Sequence, residues 1–226
     1  MAKTVLVCVT GCIAAYKSCE IVRGLQKAGV RVKVCMTEHA TSFVGPTTFR
    51  ALTHEEVAVD LFDNPSDPIH HISLAKEPDA VLIAPATANV IAKIAHGEAD
   101  DLLTTTVLAC NAPVVVAPAM NVGMWQADVT QRNIAALEER GYDIVRPISG
   151  YLACGDSARE SLPMSRISSL EPCSPLKHPR RSRGSGSSSP PEGPARPSIP
   201  CDISGIARAA KWDTPSRGRL MQWEPM

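Results

Sequence analysis

KTVLVCVTGCIAAYKSCEIVRGLQKAGVRVKVCM, residues 3–36, decides the fold. Lys3–Thr10 is a nearly continuous apolar, β-branched run, the mark of a strand buried on both faces. Gly11 and Cys12 turn the chain. From Ile13 to Ala28 the spacing becomes helical: Ala14, Lys17, Ile21, Leu25 and Ala28 fall near one face, and Gly29 stops the helix. Arg31–Met36 (RVKVCM) reads as a second strand.

The same alternation continues outward. Thr37–Phe43 starts another helix. Ala80–Ala84 (AVLIA) is a third clear strand, followed by helix over Ala88–Ala95 and again over Leu102–Cys110. Val114–Ala117 is a strand, Val129–Arg140 a helix ending at Gly141, and Asp143–Val145 a last strand. Alternating helices and apolar strands predict an α/β fold: a doubly wound, mostly parallel sheet covered on both faces. No internal repeat is present.

This logic stops after Ser157. The chain has 226 residues with 23 Lys+Arg and 23 Asp+Glu, a formal charge of zero. That zero is a sum of two unlike parts. Residues 1–157 carry 12 basic and 17 acidic side chains, net −5; residues 158–226 carry 11 and 6, net +5. The second part also holds 11 of the 19 prolines and shows no apolar period. The expected organisation is one domain over 1–157 and a disordered tail over 158–226.

Composition also excludes functions. No run of apolar residues is long enough to span a membrane. MAKTVLVCVTG lacks the charged region and cleavage site of a signal peptide. The eight cysteines include no CxxC pair, so they read as reduced thiols in a cytoplasmic protein, with no metal site. The basic tail carries only Trp212 and Trp223 as aromatics, which argues against nucleic-acid binding.

Ligands of doubly wound sheets sit at the carboxyl ends of the strands. Those ends are small or polar here. Thr10–Lys17 (TGCIAAYK) turns from strand into helix, where backbone N–H groups and the helix dipole favour an anion such as phosphate; a plain tight turn explains it equally. Thr37 offers a hydroxyl at the end of the second strand. Pro85–Val90 (PATANV) brings Thr87 and Asn89 to the third, either as donors to a flat polar ligand or as a helix cap. Pro118–Asn121 (PAMN) puts an amide at a further strand end, able to bind a carboxylate or to cap. His70 and His71 lie in a polar loop, DNPSDPIHHIS, beside this edge, and are candidates for acid–base work. Cys154 lies between Gly150 and Gly155 in an expected flap.

Together GCIAAYK (Gly11–Lys17), MTEHA (Met36–Ala40), HIS with His71, PATAN (Pro85–Asn89), PAMN (Pro118–Asn121) and ACGD (Ala153–Asp156) resemble the homo-oligomeric flavin-containing cysteine decarboxylases over about residues 3–157. PAMN with ACGD resembles the branch that decarboxylates phosphopantothenoylcysteine in coenzyme A biosynthesis. The resemblance implies a Rossmann-like flavoprotein fold and a homotrimer with flavin between subunits. It implies FMN held by Gly11, Cys12, Ile13, Ala14, Thr37, His39, Thr87, Ala88, Asn89 and Ala119. It implies His71 as base, Asn121 as carboxylate ligand and Cys154 as proton donor to the intermediate. The implied reaction oxidises the cysteine moiety to a thioaldehyde, which releases CO2, and then returns the hydride. A flavin-binding regulatory protein is the alternative; the presence of both His71 and Cys154 favours the enzyme.

The family continues after ACGD with Ser-Gly-x-Gly-(Arg/Lys)-(Met/Leu) and a helix, whereas this chain reads SARESLPMSRISS. Deleting one base from a Gly codon turns Asp-Ser-Gly-Glu-Gly-Lys-Leu-Ala-Asp-Val-Glu-Asp-Ile into the reading seen over Asp156–Ile167. Pro197–Asp213, read in a shifted frame, resembles the start of the family's synthetase domain. The tail is thus expected to be out of frame, with the synthetase absent and the flap altered; the nucleotide sequence tests this.

Overall fold

The computed structural model describes residues 3–62, 67, 69–146, 148–151 and 157–161, the last two stretches as backbone alone. The elements run β1 (Thr4–Val9), α1 (Ala15–Lys27), β2 (Arg31–Met36), α2 (Glu38–Thr41), α3 (Pro46–Thr53), β3 (Val57–Ala58), α4 (His70–Lys76) and β4 (Ala80–Ala86). Then follow α5 (Ala88–His96), α6 (Leu102–Ala109), β5 (Val114–Pro118), α7 (Val122–Gln126), α8 (Asp128–Glu139), β6 (Asp143–Ile144), β7 (Ile148–Tyr151) and β8 (Ser157–Ser161).

Six strands form one sheet in the order β3-β2-β1-β4-β5-β6, and every neighbouring pair is parallel. This is the doubly wound, Rossmann-like arrangement that the strand–helix alternation predicts. The order reverses between β1 and β4, and there the crossover helices leave to opposite faces. Strand alternation splits the core in two. Leu6 and Cys8 join Val81, Ile83 and Val116 under α4, α5, α6 and α8. Val5, Val7 and Val9 join Val34, Leu82 and Val115 under α1 and α3. A strand whose successive residues face two covered layers has little room for polar groups, which is why β1 is apolar from Val5 to Val9.

Gly29 and Gly141 follow α1 and α8 at φ +78° and +88°, a conformation that stops a helix at low cost only for glycine. Three expectations need correction or extension. His70 and His71 are not in a loop: they open α4. Leu74 and Ala75, four residues on, are buried, so a helix here buries a stripe that a polar loop would leave exposed. Helix α3 went unread because only Phe49 and Thr53 face the core. Strand β8 pairs antiparallel with β7 and runs across the boundary drawn at Ser157. The remaining residues of the 158–226 tail, and Cys154, lie outside the described residues.

Candidate functional site

The carboxyl ends of four strands are stitched into a continuous rim. Thr37 N donates to Val9 O at 3.0 Å, joining β2 to β1. Thr10, fully buried, donates its hydroxyl to Pro85 O at 2.7 Å and accepts from Thr87 N at 3.0 Å, joining β1 to β4. Ala119 N donates to Ala86 O at 2.9 Å, joining β5 to β4. The buried Ser18 hydroxyl donates to Ala84 O at 2.7 Å from below, and the Ala84–Pro85 peptide is cis. Thr10 and Ser18 were not singled out from the sequence; their role depends on contacts 75 and 66 residues away.

An open cleft of about 420 Å³ lies at this rim, lined by Gly11, Thr37, His39, Thr87, Asn89, Val90, Lys93 and Asp101. Five of the sequence candidates therefore share one concavity. Gly11 must be glycine: a Cβ there would sit 2.5 Å from His39 Cβ and 3.0 Å from its carbonyl carbon. The first loop can approach α2 only because it has no side chain at this point.

The capping readings are correct, and they leave donors available. Thr37 Oγ1 accepts from Ala40 N and Thr87 Oγ1 from Val90 N, each at 3.3 Å. Thr87, not Asn89, thus caps α5. A hydroxyl that accepts a backbone bond still has its own O–H to donate. Asn121 Oδ1 accepts from Gly123 N at 2.8 Å and caps α7; its amide nitrogen keeps two donors, which suits a carboxylate. Helix α1 has no side-chain cap and no acidic residue in its first turn, so its positive end can serve an anion. Cys12 and Ala14 are half-buried there, and Ile13 is exposed. Ala88 opens α5, half-buried; Ala119 is buried, its N–H spent on β4.

His71 is half-buried in the first turn of α4. Beside it, His70 Nδ1 is buried without a hydrogen-bond partner among the described residues. His71, on α4, and Asn121, just after β5, are not among the residues that line the cleft. Lys93 and Asp101 line it without having been foreseen. Lys93 Nζ lies 2.8 Å from both Asp100 oxygens and 3.3 Å from Asp101 Oδ2.

Elsewhere the chemistry is sparse. Cys8 and Cys35 face each other in register on β1 and β2; the hydrogen bond between them and full burial push the Cys8 thiol well up. Among the described residues no group of three His, Cys, Asp or Glu side chains is placed to hold a metal, and no helix is long and apolar enough to cross a membrane. A second cavity, about 250 Å³, lies near the start of β5 between the ends of α5, α6 and α8, and none of the candidates borders it.

Residues 1–169 match the sequence family described as Flavoprotein. The chain is 53% identical over 155 residues to the coenzyme A biosynthesis bifunctional protein CoaBC of Bacillus subtilis (strain 168), covering 68% of this chain and 38% of that protein. It thus spans about two fifths of the length of the curated relatives it matches. Among solved structures, the FMN-dependent cysteine decarboxylase SpaF superposes with a TM-score of 0.64 at 36% identity, covering 70% of this chain and 90% of that one. A mutant PPC decarboxylase complexed with pantothenoylaminoethenethiol gives 0.63 at 30% identity, covering 72% and 91%.

Proposed function

Because the chain belongs to the Flavoprotein family, we propose that it binds FMN in the strand-end cleft and decarboxylates phosphopantothenoylcysteine to phosphopantetheine in coenzyme A biosynthesis. The observation that carries this reading is the meeting of Gly11, Thr37, His39, Thr87 and Asn89 in one cleft at the point where the sheet order reverses.

The residues fit the group. The side-chain-uncapped end of α1, after Gly11–Ala14, suits a phosphate. The hydroxyls of Thr37 and Thr87 and the exposed amide of Asn89 suit a polyol and a flat heteroaromatic edge. The small side chains of Ala88 and Ala119 let backbone approach it. Bound FMN would supply a reversible two-electron acceptor for the cysteine moiety. The chain supplies the rest: His71 takes a proton at the substrate, Asn121 Nδ2 donates to its carboxylate, and the Cys154 thiol returns a proton at the end.

A homotrimer in the cytoplasm belongs to the same proposal. Ile13 and Tyr16 at the start of α1 are 57% and 55% exposed, and Phe43 beyond α2 is 48% exposed. Large apolar groups flanking an anion site are suited to burial against a second copy.

The test is CO2 release from phosphopantothenoylcysteine by the flavin-loaded full chain. Wild type should turn over, and His71→Asn should lose about two orders of magnitude or more, the usual share of a general base. FMN uptake with no CO2 released from any wild-type preparation would instead support a flavin-binding regulatory protein.

A further inference from the structure

The charged cluster at the cleft is not explained by the residues assigned so far. Lys93 sits on α5 one turn after Asn89, and the pair shares a helix face that lines the cleft. The Lys93 side chain is only 18% exposed and is tethered by Asp100 and Asp101. Asp101 is committed elsewhere as well: its Oδ1 accepts from Thr104 N and Thr104 Oγ1, both at 2.8 Å, and caps α6. Asp100 is the exposed partner, its side chain 60% open to solvent. The hydrogen bond to Asp100 raises the Lys93 value, so the ammonium is charged across the neutral range.

Of the eight described residues that line the cleft, Lys93 alone carries a permanent positive charge. A phosphate dianion entering there also meets Asp101, with Asp100 close by. Two carboxylates and a phosphate in one partly desolvated cleft need a compensating cation. An ammonium has three donors and no acceptors, so it can exchange the exposed Asp100 carboxylate for a phosphate oxygen while keeping Asp101.

We propose that Lys93 is the phosphate-recognising cation of this cleft, held ready by Asp100 and Asp101, and that it makes the site select FMN over riboflavin. This inference rests on the flavin-binding reading above. Asp100 competes with the cofactor phosphate for the same ammonium, and Asp101 fixes the position of the ammonium through the α6 cap.

The test titrates the full chain, freed of flavin, with FMN and separately with riboflavin, following flavin fluorescence. Lys93→Met should raise the FMN Kd at least about tenfold and move the riboflavin Kd by less than about twofold, as a charge-assisted contact to phosphate requires. Asp100→Asn, on an exposed side chain with little folding role, should lower the FMN Kd severalfold and leave riboflavin unchanged. Equal weakening of both flavins by Lys93→Met would overturn the inference and make Lys93 a structural brace between α5 and α6. So would an Asp100→Asn protein that binds FMN less tightly. Riboflavin bound by wild type as tightly as FMN sinks this inference alone; a wild type that takes up neither sinks the flavin-binding reading with it.

Discussion

At the scale of single residues, Gly11 is the position with the least freedom. His39 Cβ would lie 2.5 Å from any Cβ added there, and both atoms are fixed by backbone. Gly11→Ala should therefore move the loop or α2, destabilise by about 1–3 kcal/mol as overpacking does, and weaken flavin uptake; thermal melts and a flavin titration read the two effects. The thiols give a second check. Cys8, Cys35 and Cys110 are buried, Cys12 and Cys19 only partly so, and burial raises the Cys110 value as well. Brief alkylation of the native protein should label Cys12 and Cys19 before Cys8, Cys35 or Cys110, as peptide mass mapping would show; early labelling of Cys8 or Cys35 would contradict the buried register pair. Glycine, proline and threonine at strand ends were readable from the sequence because each marks a turn or cap. Lys93 and Asp101 were not, since a lysine and an aspartate on neighbouring helices look like solvated charges until the cleft between them is seen.

At the scale of elements, caps and ion pairs set how firmly the rim is held. Asp101 and Thr104 form a reciprocal capping box at the start of α6. Asp101→Ala should cost about 1–2 kcal/mol in a denaturant titration, while Asp101→Asn, which keeps an acceptor, should cost less. On the far edge, Arg31 pairs with Glu55 and Glu77 at 2.7 Å each. The hydrogen bond from Arg31 holds the Glu55 carboxyl below its usual value. The stability this contributes is present above the unfolded carboxyl value of about 4.3 and disappears as pH falls through the lower folded value. Glu55→Gln should thus flatten the acid side of the stability profile below about pH 4 by a small amount, since the pair is partly exposed. Long, apolar elements such as β1, β4 and α5 were legible because their burial pattern repeats. Two short ones were not: α4 has seven residues and β3 two, too few for a period to show, and the histidines consequently looked like loop residues.

At the scale of the whole molecule, one sheet with two separate cores carries a rim of joined strand ends. The fold class followed from strand–helix alternation, because a parallel sheet forces both patterns on the sequence at once. The strand order did not, since nothing local says that β4 pairs with β1 rather than β3. That order is what puts Thr10 beside Pro85 and makes a cleft of separate loops. Phe49 shows how far the frame depends on its second core: it is the fully buried aromatic of α3, and Phe49→Ala should cost about 3–5 kcal/mol. The proposed flavin site is the cleft between the ends of β1 and β4. The most direct test is an experimental structure of the chain soaked with FMN. Flavin density is expected bordered by Gly11, Thr37, Thr87 and Asn89, with the phosphate near the start of α1 and Lys93. Density in the cavity beside Tyr142 instead, or none at saturating FMN, would contradict it.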